Sequence, residues 1–270
     1  MMDMEHGPDR DPVSVASVAL RVRDLDTVTR FYETVVGLSV LSKDGEGAVL
    51  GAAERGLLEL RKDPNARQRM PQEAGLFHTA FLLPGRGALG GWLRHAADLE
   101  TRLQGLSDHL VSEAAYLMDP EGNGIEIYAD RPRNVWQWHD GQVAMTTERM
   151  DVASVLEAAT PWTGAPKGSM VGHVHLQVGA LPEAEAFYSG QLGFDITTHY
   201  PGATFYATGG YHHHLATNVW NSRGAGVRQR PSTGLEEVRL AVRESTRMKG
   251  AESRHLDDPW GTTIRLALSA

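Results

Sequence analysis

The chain has 270 residues, 41% hydrophobic and 22% charged, with 29 glycines, 13 prolines and no cysteine; that is enough apolar content for one large domain or two ordinary ones. Without cysteine there is no disulfide, thiolate metal site or thiol nucleophile, so a metal would need nitrogen and oxygen ligands, and a reducing cytoplasm is the expected compartment. The net charge of −8 argues against a nucleic-acid partner, and the absence of a long apolar run or a basic, apolar start argues against a membrane span or export signal.

Residues 13–66 read as a first module of strand, turn, amphipathic helix and further strands. Leu25, Val28, Phe31, Tyr32 and Val35 fall at spacings of three and four, the pattern of a helix with one buried face. Gly37 follows, where a left-handed cap is wanted, and alternation over 48–60 predicts strands. A second module, 75–131, opens with GLFHTAFLL, predicts a helix over 89–103 with Trp92, Leu93, Ala96, Leu99 and Leu103 on one face, and closes with DPEGNGIEI. Residues 132–167 read as a connector with one helical piece over 151–159. Module three, 168–222, repeats the first at a constant offset of 156: Val22 meets Val178, Leu25 meets Leu181, Phe31 meets Phe187, Tyr32 meets Tyr188 and Gly37 meets Gly193. In module four, 234–270, DPWGTTIRL matches DPEGNGIEI, and GLEEVRLAV matches GLFHTAFLL. Only 24 residues separate Gly234 from Asp258, against 44 from Gly75 to Asp119, so this copy is expected to lack most or all of the helix.

The fold class is therefore α+β, with four βαβββ units. A curved sheet of a few strands cannot cover its own edges, so the units are expected to close in pairs around shared cups.

The repeated V-x-D-L…FY…GL pattern, DPEGNGIEIYADRP, GLFHTAFLLP, SDHLVSEAAY, GHVHLQV and GGYHHHLATNVW together resemble the vicinal oxygen chelate superfamily, and within it the extradiol ring-cleaving catechol 2,3-dioxygenases. The resemblance runs over nearly the whole chain. It implies a non-haem iron(II), with manganese(II) as the alternative, held by two histidines and a glutamate, and a small aromatic diol and O2 as partners in aromatic compound catabolism. Imidazole and carboxylate ligands on one face suit such an ion and leave neighbouring positions open.

Carried over position by position, the resemblance places ligands at His78 and Glu126 in module two and at His173 in module three. Module one offers Ser17 and Ala19 at the matching places, and module four offers Glu237 and Arg265. Consecutive pairing would leave two half-sites. Our inference is that module two pairs with three, and one with four. The same carry-over gives His213 as acid and base, and His109 with Tyr116 as the groups meeting the ionised diol oxygen.

Blander readings stand beside these. His175 shares a face with His173 and could be the ligand or a wall; alternation puts His212 and His214 opposite His213, and they are the reserve choice. His109 could simply pair with Asp108, and Tyr116 could be core. Of the twelve histidines, His6, His95, His139, His199 and His255 are read as surface or packing residues. The rival functions are a glyoxalase-like metal-dependent isomerase and a non-catalytic small-molecule binder. The substrate's identity is open; loops such as 64–74 and 201–210 are expected to shape substituent pockets. A homo-oligomer is compatible with the sequence.

Overall fold

In a computed structural model, residues 11–243 and 255–269 are described; His6 and the segment between Arg243 and His255 in module four lie outside them. The strands and helices run β1 (Val13–Val22), α1 (Leu25–Phe31), β2 (Ser39–Lys43), β3 (Gly47–Ala52), β4 (Arg55–Lys62), β5 (Gly75–Leu82), α2 (Arg86–Asp98), β6 (Gly105–Asp108), β7 (Ser112–Met118) and β8 (Gly124–Asp130). The connector adds β9 (Trp138–His139), β10 (Gln142–Val143), β11 (Glu148–Arg149) and α3 (Val152–Glu157). There follow β12 (Met170–Gln177), α4 (Leu181–Glu185), β13 (Asp195–Tyr200), β14 (Ala203–Ala207), β15 (Leu215–Asn218), β16 (Gly234–Arg243), β17 (His255–Asp257) and β18 (Thr263–Ser269).

Two large sheets carry these strands. One has seven, in the order β17-β18-β16-β1-β4-β3-β2, and the other nine, β11-β6-β7-β8-β5-β12-β15-β14-β13. The first joins modules one and four through antiparallel β1 and β16; the second joins two and three through antiparallel β5 and β12. The outer pairing expected from the surviving ligands is the pairing observed.

The repeated helices bind the sheets to each other. Asp24 caps α1 by accepting from the Thr27 amide at 3.0 Å, and the chain then widens into a π-helical turn over Tyr32–Val36. Its counterpart after α4 does the same over Ala186–Gln191. Each turn buries a tyrosine whose hydroxyl donates to the aspartate of a DP loop: Tyr32 to Asp119 at 3.4 Å and Tyr188 to Asp258 at 3.0 Å. The sheets thus pair modules one with four and two with three, while these bonds tie one to two and three to four.

Both repeat glycines adopt left-handed geometry, φ 84° at Gly37 and at Gly193. At Gly37 an added Cβ would also sit 2.6 Å from the Trp162 ring. Gly37→Ala is expected to lower stability by about 1–3 kcal/mol, read as a shift in the urea midpoint.

Helix α2 covers Arg86–Asp98 rather than 89–103. Leu99 is 47% exposed and Glu100 takes φ 51°, so the turn ends before Leu103, which packs on the core from outside the helix. Gly90 and Gly91 within it let α3 and the following chain approach: added Cβ atoms would lie 2.4 Å from the Val155 carbonyl and 2.3 Å from that of Thr160. The connector helix is likewise shorter than 151–159. Module four carries no helix among the described residues.

The seven-stranded cup is filled by charge. Glu237 is buried; its carboxylate accepts from Arg239 Nε at 2.5 Å and Arg265 Nε at 2.9 Å. Glu59 pairs with Arg61 and Arg239, and Glu236 with Arg21 and Arg61.

Candidate metal centre

Strand register brings the three expected ligands together. In β5 and β8, which run parallel, Ala80 stands opposite Glu126; in antiparallel β5 and β12, Ala80 stands opposite His173 and His78 opposite His175. A fully buried alanine therefore sits at the crossing, leaving room between the larger side chains around it. The β12 ladder skips one residue between Val171 and His173, a bulge that re-aims the histidine. Gly172 makes this bulge feasible, since a Cβ there would lie 1.8 Å from the Tyr128 hydroxyl.

His78, Glu126 and His173 are all buried, and one ligand atom from each lies within 4.8 Å of the others. Glu126 Oε2 is 3.0 Å from His78 Nε2 and 3.2 Å from His173 Nε2. The His173 contact is a hydrogen bond, whereas His78 Nε2 has no hydrogen-bond geometry to any partner. Burial pushes the Glu126 carboxyl up, but the imidazoles of His173 and His78 outweigh it and hold the group well below the usual carboxylate range. Burial takes His173 down to about 4, so it is neutral at pH 7. A buried carboxylate set among imidazole nitrogens calls for a cation, and two imidazoles with one carboxylate suit a divalent transition metal.

The other expected residues surround this cluster. A cavity of about 310 Å³ is lined by His78, Glu126, His173, His109, Tyr116, His175 and His213, with Phe77, Phe205 and Trp220 among its apolar walls. His109 does not pair with Asp108, which is taken by Arg131. Its Nδ1 lies 2.6 Å from the Thr146 carbonyl and its Nε2 2.6 Å from the Tyr116 hydroxyl. A carbonyl can only accept, so Nδ1 carries the proton and Tyr116 donates to Nε2 in the neutral pair. Burial raises the Tyr116 phenol well above its ordinary value, keeping that proton in place.

The three consecutive histidines immediately precede β15, and the last of them already bonds its neighbours, the His214 amide donating to the Tyr206 carbonyl at 2.8 Å and its carbonyl accepting from the Val174 amide at 3.1 Å. Their facing still alternates. His213 looks into the cavity, its ring 4.1 Å from that of His173, while His212 Nε2 meets Asp130 at 2.9 Å and His214 Nε2 lies 3.2 Å from Asp11. Burial, with His173 next, takes His213 well below its ordinary range, leaving it a neutral acceptor. His175 lines the cavity as a wall beside Phe77 and Trp220. His139, His199 and His255 are exposed, and His95 is half-buried against Trp162.

Sequence reasoning missed several contributors. Met145, Thr146 and Thr147 of the connector line the cavity, and nothing in their composition signals it; they arrive because β11 adds to the edge strand β6. Asp130, behind His212, had a signal in its place at the end of the DPEGNGIEIYAD run.

A family model described as the glyoxalase/bleomycin resistance protein/dioxygenase superfamily matches residues 14–127 and 170–255. The chain is 43% identical over 225 residues to a protein of Bacillus subtilis (strain 168) named catechol-2,3-dioxygenase, covering 80% of this chain and 78% of that one. Among solved structures it is similar in fold to a candidate dioxygenase from Bacillus subtilis subsp. subtilis str. 168, with a TM-score of 0.63 at 10% identity, over 94% of this chain and 84% of that one. Glyoxalase I from Zea mays superposes with a TM-score of 0.55 at 16% identity, over 96% and 93% of the two chains.

Proposed function

The chain belongs to the glyoxalase/bleomycin resistance protein/dioxygenase superfamily, and from that premise we propose that it is an extradiol dioxygenase, cleaving a catechol-type diol with O2 at an iron(II) held by His78, Glu126 and His173. The observation that carries the reading is the buried two-nitrogen, one-carboxylate cluster opening onto a cavity that also presents His213 and the His109–Tyr116 pair. Relatedness to the Bacillus subtilis catechol-2,3-dioxygenase supports the reaction class. A bound iron(II) would supply Lewis acidity and adjacent open positions for diol and O2.

The protein's own groups do the rest. Phe77, Phe205 and Trp220 offer ring faces and edges to an aromatic substrate and keep the cavity short of water. Tyr116 and His109 are joined at 2.6 Å, so a proton leaving a diol hydroxyl can be accepted at His109 Nε2 with Tyr116 reoriented to donate to the resulting oxyanion. The Thr146 carbonyl at 2.6 Å then steadies the imidazolium. On the other side, His213 is a neutral imidazole able to accept and return a proton during ring opening. An isomerase of the glyoxalase kind would need a second carboxylate as base, and the cavity presents His213 there.

With labelled O2 under single-turnover conditions, both oxygen atoms are expected in the ring-opened product. Label in only one atom would refute the assignment.

A further inference from the structure

A second cavity, of about 380 Å³, abuts the first and shares Phe77, His78 and Tyr116 with it as a common wall. Its remaining lining is of another kind: Arg69, Gln104, Gln177 and Asn221 bring polar groups into it. Arg69 comes from the segment between β4 and β5, and among the described residues it makes no ion pair; one Nη1 contact reaches the Glu73 carbonyl at 3.4 Å. Glu73 favours its charge from nearby without bonding it, both carboxylate oxygens going to Arg67 at 2.7 and 2.8 Å. Asp119, the other nearby acid, accepts from Asn123 and the backbone of its own loop.

A second guanidinium stands behind the first. Arg228 is 6% exposed, and its Nη1 is buried with no hydrogen-bond partner. The two arginines meet over Gly75 and Gly234, where an added Cβ would lie 2.6 Å from Arg228 Nη1 in one case and 3.3 Å from Arg69 Cδ in the other. Burial and the neighbouring arginines take the Arg228 guanidinium down to about 10. Neither guanidinium makes an ion pair among the described residues, and Arg69, which lines the cavity, can meet a carboxylate there in two-point geometry.

We propose that the cavity over Arg69 is a binding site for an organic carboxylate, set against the metal cluster through the shared wall of Phe77, His78 and Tyr116. The carboxylate has two sources: a side chain on the molecule held in the metal cavity, or a separate small acid.

Calorimetry on metal-free protein with benzoate and its uncharged counterpart benzamide tests this. Benzoate is expected to bind at least tenfold more tightly than benzamide. Arg69→Met is expected to abolish that preference, and Arg69→Lys to keep part of it. Equal affinity for the two compounds, or benzoate affinity unchanged in Arg69→Met, overturns the site. If Arg69→Met fails to fold, the wild-type comparison and Arg69→Lys still decide. Turnover of catechol and of a catechol with a carboxylate-ended side chain separates the sources. A KM raised by Arg69→Met for the second diol alone identifies the side chain, and unchanged KM values for both identify a separate acid. Absence of any diol cleavage would remove the dioxygenase reading while leaving the binding result standing.

Discussion

His173→Ala is expected to lower iron content to background, with affinity reduced about a hundredfold or more. Substitutions of groups that merely support metal ligands cost roughly ten- to a hundredfold, and a side chain of the proposed triad is worth at least that. Metal analysis of protein purified without oxygen gives the result directly. The matched control lies in the other cup. Glu237 occupies there the place of His78, opposite Ala19 as His78 is opposite His175. Glu237→Gln is expected to leave metal content unchanged and to lower stability by about 1–3 kcal/mol, since it leaves the guanidiniums of Arg239 and Arg265 short of a partner. Full iron content in His173→Ala would refute the cluster as the metal site.

The metal-free protein is expected to lose stability as pH falls from about 6.5 to 5. Burial depresses the folded-state pKa of His173, His175, His213 and His214, while in the unfolded chain each titrates near about 6.5. Above that value both states are neutral and nothing is lost. Below it the unfolded chain takes up protons that the folded one refuses, so stability falls with falling pH, by up to about 1.4 kcal/mol per pH unit for each group. Asp119 works the other way. Burial raises it to about 6, so it is protonated in the folded protein first and recovers part of the loss between about 6 and 4. Asp258 is raised by burial in the same sense. The histidines outnumber the two aspartates, so the net effect is a fall in stability with falling pH, of up to a few kcal/mol against the roughly 5–15 kcal/mol of a typical domain. Urea midpoints measured from pH 7.5 to 5 check it; a flat series would show that these imidazoles are protonated inside the fold.

Much of the architecture was legible because function had left an asymmetric mark on a symmetric repeat. His78 and Glu126 sit in one module and His173 in another, while the equivalent places hold Glu237, Arg265 and Ser17. The proposed ligands would have to converge on one atom, and that scatter pointed to which units meet. The extent of α2 was less legible: Leu99 and Leu103 continue the apolar spacing, but a left-handed Glu100 stops the turn between them, and no glycine or proline marks the stop. The histidine triplet read as strand because it alternates. It does alternate in facing, and His214 bonds β14 and β12 through its backbone, but the side chains of His212 and His214 are held by the carboxylates of Asp130 and Asp11. Side-chain anchors to residues about 80 and 200 positions away leave no local trace in a sequence. The connector's part in the cavity was hidden because it depends on β11 pairing with β6, far back along the chain.

The arginine-filled cup has a consequence for how the molecule responds to its surroundings. Its positive charge is covalently part of the chain, Arg265 standing where the sister cup has Glu126 and reaching Glu237 where the sister has His78. No chelator, dilution or oxidant can withdraw it. One half of the molecule therefore carries a permanent internal counter-ion and acts as a keel, whatever the occupancy of the other half.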